Sequence, residues 1–214
     1  CKFSSAVKLA GTSGIAASLL EYFDEASVGI IREKFGRIDP KARAAIYFEQ
    51  ELFPLPQGGE GQGEGDHTLV ERWRKLMLEH GALEIQEAFT ETQREHLREQ
   101  RHSVPEEVNR RLAAAGVCKV ASDIAVPEKN FEEMMAYYRE TLRAAGLSYV
   151  IWGHIGNCHL HVNMIPADAA QERLAREKLL DFARKAKALG GTITAEHGTG
   201  KIKIPQLEIL FGQE

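Results

Sequence analysis

Two apolar runs, "LSYVIWG" (147–153) and "HLHVNMIP" (159–166), are joined only by His154 and the four residues "IGNC". No other feature of the chain restricts its fold as much. A link of that length closes a hairpin, so the runs should pair as antiparallel strands. The first run has almost no polar break. The second alternates, and alternation on a strand puts His159, His161 and Asn163 on one face and Val162 and Met164 on the other, toward a core. His154 ends the incoming strand and folds back over the turn. Gly153 and Gly156 free the backbone for that approach. Three of the eight histidines in the chain therefore gather at one point.

Around this hairpin the sequence alternates strand and helix signals. "IAASLLEYFD" reads as a strand leading out of a short helix. "EASVGIIREKFG" reads as a helix ended by glycine. "AAIYFEQEL" (44–52) is a half-buried strand, and "FPLPQGGEGQGEGDH" is a loop without phosphate-binding spacing. From His67 to Leu112 the pattern is helical with breaks, Pro105 being one of them. "CKVASDIAVP" is a strand closed by proline. "EKNFEEMMAYYRETLRAAGL" is an amphipathic helix with Phe131, Met134, Met135, Tyr138 and Leu142 on its core face. The helix "DAAQERLAREKLLDFARKAKALGG" is capped by Asp168 and ended by paired glycines. "TITAEHGTGKIK" reads as a strand running into a glycine-rich turn. The order β-α-β, then β-α-β-β-α-β, predicts an α+β fold: a largely antiparallel sheet with helices packed on one face, in ferredoxin-like halves.

At 214 residues, 43% hydrophobic and 27% charged, the chain has the balance of a soluble globular domain. A net charge of -4 carries no basic footprint for nucleic acid. Three cysteines do not make a disulfide framework and suit a reducing, cytoplasmic setting. No run is long enough to span a bilayer. Both ends read as cut, so the expectation is one domain over 1–214, truncated at each end.

The chemistry gathers in two places. "GHIGNCHLHVN" (153–163) supplies the histidines, and "AEHGTGK" (195–201) adds Glu196 and His197 beside Gly198 and Gly200. Two imidazoles and a carboxylate make a borderline-hard ligand set suited to Zn²⁺, Mn²⁺ or Fe²⁺, with coordination positions left open. Cys158, in the turn, is a further candidate ligand. A histidine pair at i, i+2 also fits a solvated strand face, and spacing alone leaves both readings open.

These two stretches resemble the "GHxGDGNLHxN" and "GGxxxxEHGxGxxK" signatures of the C-terminal domain of FAD-linked oxidases. This is the group of D-lactate dehydrogenases, glycolate oxidase large subunits and D-2-hydroxyglutarate dehydrogenases in the vanillyl-alcohol oxidase superfamily. "KVASDIAVP" is similar to the family's "K…DIxVP" segment, and "LLEYFDEASVGIIRE" to the opening of its first helix. The resemblance runs from about residue 3 to the end.

The resemblance implies a divalent metal, commonly zinc, held by His154, His161 and Glu196, with His197 beside it as the general base. It implies that Asn163, Arg101 and Lys119 contact the substrate, a small 2-hydroxy acid such as D-lactate or glycolate. For Arg101 a solvated helix face fits equally well. It further implies FAD, bound mainly by a preceding domain not contained in these residues, and an electron-acceptor protein or quinone as partner. Peripheral membrane association would then come through that acceptor. This fragment alone should not turn over. Three positions depart from the signature: Asn157, Cys158 and His159 stand where aspartate, glycine and asparagine are common. His159 shares the face of His161, so it either enters the metal shell or replaces an amide that touches flavin or substrate. Two other readings remain from the residues themselves: a metal-dependent hydrolase or lyase on the same ligand set, and a non-catalytic interaction module.

Overall fold

A computed structural model describes residues 17–51 and 64–212. The short helix expected before residue 17 and most of the Gly- and Gln-rich loop lie outside the described residues. Six strands, β1 (Leu19–Phe23), β2 (Ala45–Glu49), β3 (Val120–Ala121), β4 (Ile124–Ala125), β5 (Tyr149–His154) and β6 (His159–Met164), form one sheet in the order β2-β1-β5-β6-β3, with β4 also on β6. Every pairing is antiparallel. The expected hairpin is the centre of the sheet, with Trp152 opposite His161 and Val150 opposite Asn163.

Six helices accompany the sheet: α1 (Glu25–Phe35), α2 (Glu64–Glu79), α3 (Glu91–Ala115), α4 (Phe131–Ala144), α5 (Ala169–Ala188) and α6 (Ile204–Phe211). Their ends follow the sequence signals. Asp24 caps α1 by accepting from the Ser27 N–H at 2.9 Å, and Gly36 closes it in the left-handed region. Asp168 caps α5 by accepting from the N–H groups of Ala170 and Gln171, each at 2.8 Å.

The α+β class and antiparallel sheet match the expectation, but helices lie on both faces rather than one. The cause is the unbroken apolar run in β5. Ile151 packs with Met134, Tyr138 and Leu142 of α4 and Phe182 and Ala183 of α5. Its neighbours Val150 and Trp152 point the other way, into a second core with Val28 and Ile31 of α1 and Val104, Val108 and Leu112 of α3. Each fully buried aliphatic or aromatic side chain here stabilises by about 1.5–3 kcal/mol, so leaving either face bare would be costly. The Tyr138 and Phe182 rings meet edge to face at 4.7 Å, joining α4 to α5.

Two other expectations change. Pro105 does not interrupt the charged helix; α3 runs through it from Glu91 to Ala115. Proline removes one N–H bond and strains the turn before it. Against that stand a capping box between Thr90 and Gln93 and the burial of Val104, Val108 and Leu112. The last predicted strand is reduced to a single bridge, Ala125 to Thr192. Gly191 allows this close approach, because a Cβ there would stand 2.5 Å from the Ala125 carbonyl oxygen. Beyond it the backbone leaves the sheet.

Candidate metal centre

The site forms on the sheet face that also carries α1 and α3. Strand register puts Glu21 of β1 opposite His154 of β5, and Trp152 opposite His161 of β6. His159 and Asn163 flank His161 on the same face, while Leu160, Val162 and Met164 fill the core behind it. Gly153 sits among them at φ +136°, where a Cβ would stand 3.1 Å from both the His159 carbonyl oxygen and the His161 ring. Its missing side chain is what lets the two histidines lie against the strand. Gly156 has no such role. The left-handed residue of the turn is Cys158, at φ 50°.

Glu196 arrives from the segment after α5, and one residue puts it there. Asp123, between β3 and β4, accepts three successive backbone N–H groups: Ala195 on its carbonyl oxygen at 3.1 Å, Glu196 on Oδ1 at 3.2 Å and His197 on Oδ2 at 3.0 Å. These bonds replace the strand pairing expected for this segment. Lys203 donates to Asp123 Oδ2 at 2.6 Å and fastens the far end of the segment. Burial alone would push the Asp123 carboxyl up, but Lys203, the His197 N–H and His159 outweigh it and hold it at about 2.

Glu196 Oε2 is the centre of the arrangement. His154 Nε2 lies 3.3 Å from it, His161 Nε2 3.6 Å and His159 Nδ1 3.7 Å. His154, His161 and Glu196 each present one donor atom within 4.8 Å of the others, so the expected ligand set is brought together. Cys158 belongs to no such group among the described residues. The His197 ring lies 5.1 Å from that of His161, centroid to centroid.

The electrostatics favour a cation. Burial, followed by the neighbouring His159, lowers the His161 pKa to about 4, and burial lowers that of His159 as well. Both rings are neutral at pH 7 and keep the lone pairs that a metal needs. Glu21 is neutralised by Arg101 and Asp123 by Lys203, which leaves Glu196 as the uncompensated charge among the imidazoles. The donor set thus fits a divalent ion, with the hard carboxylate and neutral nitrogens that such ions take.

The substrate candidates lie on the same side. Asn163 is buried, and its Oδ1 has no hydrogen-bond partner. Lys119 holds its ammonium 6.0 Å from the centroid of the Trp152 ring, and burial lowers its pKa. Arg101 is not on a solvated face. Its Nε and Nη2 donate to Glu21 at 2.6 Å each, leaving Nη1 beside His102. Three residues of this arrangement escaped the sequence reading: Glu21, Asp123 and Lys203. Glu21 alternates with Leu20 and Tyr22 and reads as a solvent-facing strand residue. Asp123 and Lys203 stand inside "SDIAVP" and "GTGKIK", and charged residues in such short apolar or glycine-rich contexts were the available signal.

The profile of the family described as FAD linked oxidases, C-terminal domain, matches residues 2–214. The chain belongs to that family. It is 26% identical over 204 residues to the glycolate oxidase subunit GlcD of Bacillus subtilis, covering 94% of this chain and 40% of that protein. It is 25% identical over 147 residues to a D-lactate dehydrogenase of Archaeoglobus fulgidus, covering 68% of this chain and 31% of the relative. With the D-2-hydroxyglutarate dehydrogenase of Escherichia coli it shares 31% identity over 103 residues, 47% of this chain and 10% of that one. This FAD-linked oxidase domain thus spans less than half the length of these relatives. Among its described residues no helix is long and apolar enough to cross a membrane.

Proposed function

We propose that this domain binds the substrate and a divalent metal for an FAD-dependent D-2-hydroxy acid dehydrogenase, with D-lactate or glycolate as substrate. The observation that carries the reading is the convergence of His154 Nε2 and His161 Nε2 on Glu196 Oε2, with the His197 ring beside them. The names of the relatives support the substrate class. When bound, the cation would supply Lewis acidity to the α-hydroxyl, and FAD, held mainly by a further domain, would supply the hydride acceptor.

The residues of this chain do the rest. His154, His161 and Glu196 hold the ion. His197, exposed at the rim, takes the hydroxyl proton as general base. Asn163 Oδ1, buried without a partner, accepts a hydrogen bond from the substrate. Lys119 and the Nη1 side of Arg101 attract the carboxylate, which fixes the direction in which the α-hydrogen departs. The partners are then the FAD domain and an electron-acceptor protein or quinone.

In the intact flavoprotein, His197→Ala and Glu196→Ala should each lower turnover of D-lactate or glycolate by roughly 10²–10⁴-fold with flavin still bound. Turnover at the wild-type rate in either variant would overturn the assignment.

A further inference from the structure

We propose that His159 is a third imidazole ligand of the ion, turned toward it by Asp123, so that the centre is three histidines and one glutamate. The inference rests on the metal reading above and concerns a residue that the two-histidine, one-carboxylate set does not include.

Asp123 decides which nitrogen of His159 is available. His159 Nε2 lies 2.9 Å from Asp123 Oδ1, and both side chains are buried. An ionised carboxylate only accepts hydrogen bonds, so Nε2 carries the proton and the lone pair is on Nδ1. Asp123 itself is occupied: Oδ1 takes His159 and the Glu196 N–H, and Oδ2 takes the His197 N–H and Lys203. It therefore acts as an orienting acceptor, although its position beside His159 and His161 would also suit a ligand.

The lone pair of Nδ1 faces the same oxygen as the other two imidazoles. Separations from Glu196 Oε2 are 3.3 Å for His154 Nε2, 3.6 Å for His161 Nε2 and 3.7 Å for His159 Nδ1. Neighbouring donors bonded to one ion at about 2.0–2.2 Å lie about 3.0–3.4 Å apart, so each nitrogen stands close to the spacing from Glu196 Oε2 that a shared sphere needs. His154, His161 and Glu196 already lie within 4.8 Å of one another, whereas His159 lies outside that group, so its ring must close on the other two imidazoles as the ion binds.

Each ring also has an acceptor behind it. His161 Nδ1 lies 3.3 Å from the Ser122 carbonyl oxygen, and His154 Nδ1 lies 3.7 Å from Glu21 Oε1. His159 has Asp123. A carbonyl or carboxylate behind the non-ligating nitrogen is the usual support of a metal-bound histidine, and here all three rings have one.

The ligand count bears on the ion. Four protein donors fill a tetrahedral zinc site but leave two positions on a six-coordinate ion. Two is the number that the hydroxyl and carboxylate of a 2-hydroxy acid would occupy together.

The test is X-ray absorption of the intact protein loaded with cobalt(II), which counts imidazoles from their outer-shell scattering. Wild type should show three, and His159→Gln two. Glutamine keeps a donor for Asp123 but brings no imidazole. Cobalt affinity, read by competition with a chelator, should fall at least tenfold in His159→Gln. Two imidazoles in the wild type, or an unchanged count and affinity in the variant, would overturn the inference and leave the two-histidine reading standing. Failure of the wild type to take up stoichiometric cobalt would overturn both. The wild-type count needs no variant, so a misfolded His159→Gln would not shield the proposal.

Discussion

Arg101 and Glu21, 80 positions apart, are joined by two hydrogen bonds of 2.6 Å each. The pair ties α3 to β1, and it does more than cross-link. The Glu21 side chain is only 4% exposed, and its Oε1 also stands 3.7 Å from His154 Nδ1. A charge on α3 thereby fixes the carboxylate that backs a candidate metal ligand on β5.

Removing the arginine should expose that dependence. Arg101→Met leaves Glu21 buried and unpaired, and breaking a buried pair from one side costs about 3–5 kcal/mol. With the Arg101 side chain 29% exposed, the low end of that range is expected. The urea midpoint of the metal-free protein should drop accordingly, with the slope unchanged. Arg101→Lys should recover only part, because an ammonium cannot make the two-bond fork. An unfolding free energy within about 0.5 kcal/mol of wild type, on the scale of an ordinary surface change, would show that water replaces the guanidinium at no cost.

Acid should weaken the metal-free protein in two stages. Burial and the neighbouring ring hold the His161 pKa at about 4, below the ordinary 6.5, and His159 is lowered in the same direction. Between those values the unfolded chain takes protons that the folded rings refuse. Stability is therefore complete above pH 6.5 and falls as the pH drops to 4, by up to about 3 kcal/mol for His161. Asp123, at about 2 against 3.8, adds a second loss below pH 3.8. His161→Asn should flatten the first stage, and bound metal should shift it to lower pH. Urea midpoints at pH 7, 5.5 and 4.5 would show this; equal midpoints would contradict it.

What the sequence revealed was what local pattern controls. The hairpin, the shared face of His159, His161 and Asn163, and the cap at Asp168 follow from period and turn chemistry, and each is found where expected. The double-sided helix cover was hidden because an unbroken run such as "YVIW" names no face. Pro105 misled because its local penalty is outweighed by burial of Val104 and Val108, residues whose partners lie elsewhere in the chain. Glu21 was hidden for the same reason: alternation says it points away from one core, and only the second layer reveals that the other side is a site. Asp123 stood out only as a charged residue inside "SDIAVP"; its role was hidden, since the amides that it holds are 73 and 74 residues away.

Gly153 tests the packing of the two central histidines. Alanine there must adopt φ near +136° and bring its Cβ within 3.1 Å of the His161 ring and the His159 carbonyl oxygen. Backbone strain of that kind costs about 1–3 kcal/mol, and the ring has to move as well. Gly153→Ala should lower both the melting temperature and metal affinity, the latter by about tenfold or more, as when an outer support of a ligand is lost. Lower stability with unchanged metal affinity would mean that the histidines do not depend on this contact.

Lys203→Met addresses how Glu196 and His197 are delivered. The substitution leaves Asp123, 4% exposed at its side chain, without its cation. The carboxyl pKa should then rise toward or above the ordinary value, because burial no longer meets the opposing charge. A buried Asp123 carboxylate without its counter-charge draws in water and holds the Glu196 and His197 amides less firmly, and the segment after α5 then relies on the Thr192 bridge, the buried Ile193 and the Ala195 bond. Hydrogen exchange at the Glu196 and His197 amides should accelerate much more than exchange in β5 or β6, which keep their sheet pairing. Metal affinity should fall because Glu196 is no longer held among the imidazoles. Uniform acceleration across the sheet would instead mean that Lys203 stabilises the fold globally, and unchanged exchange would remove it from the support of the site.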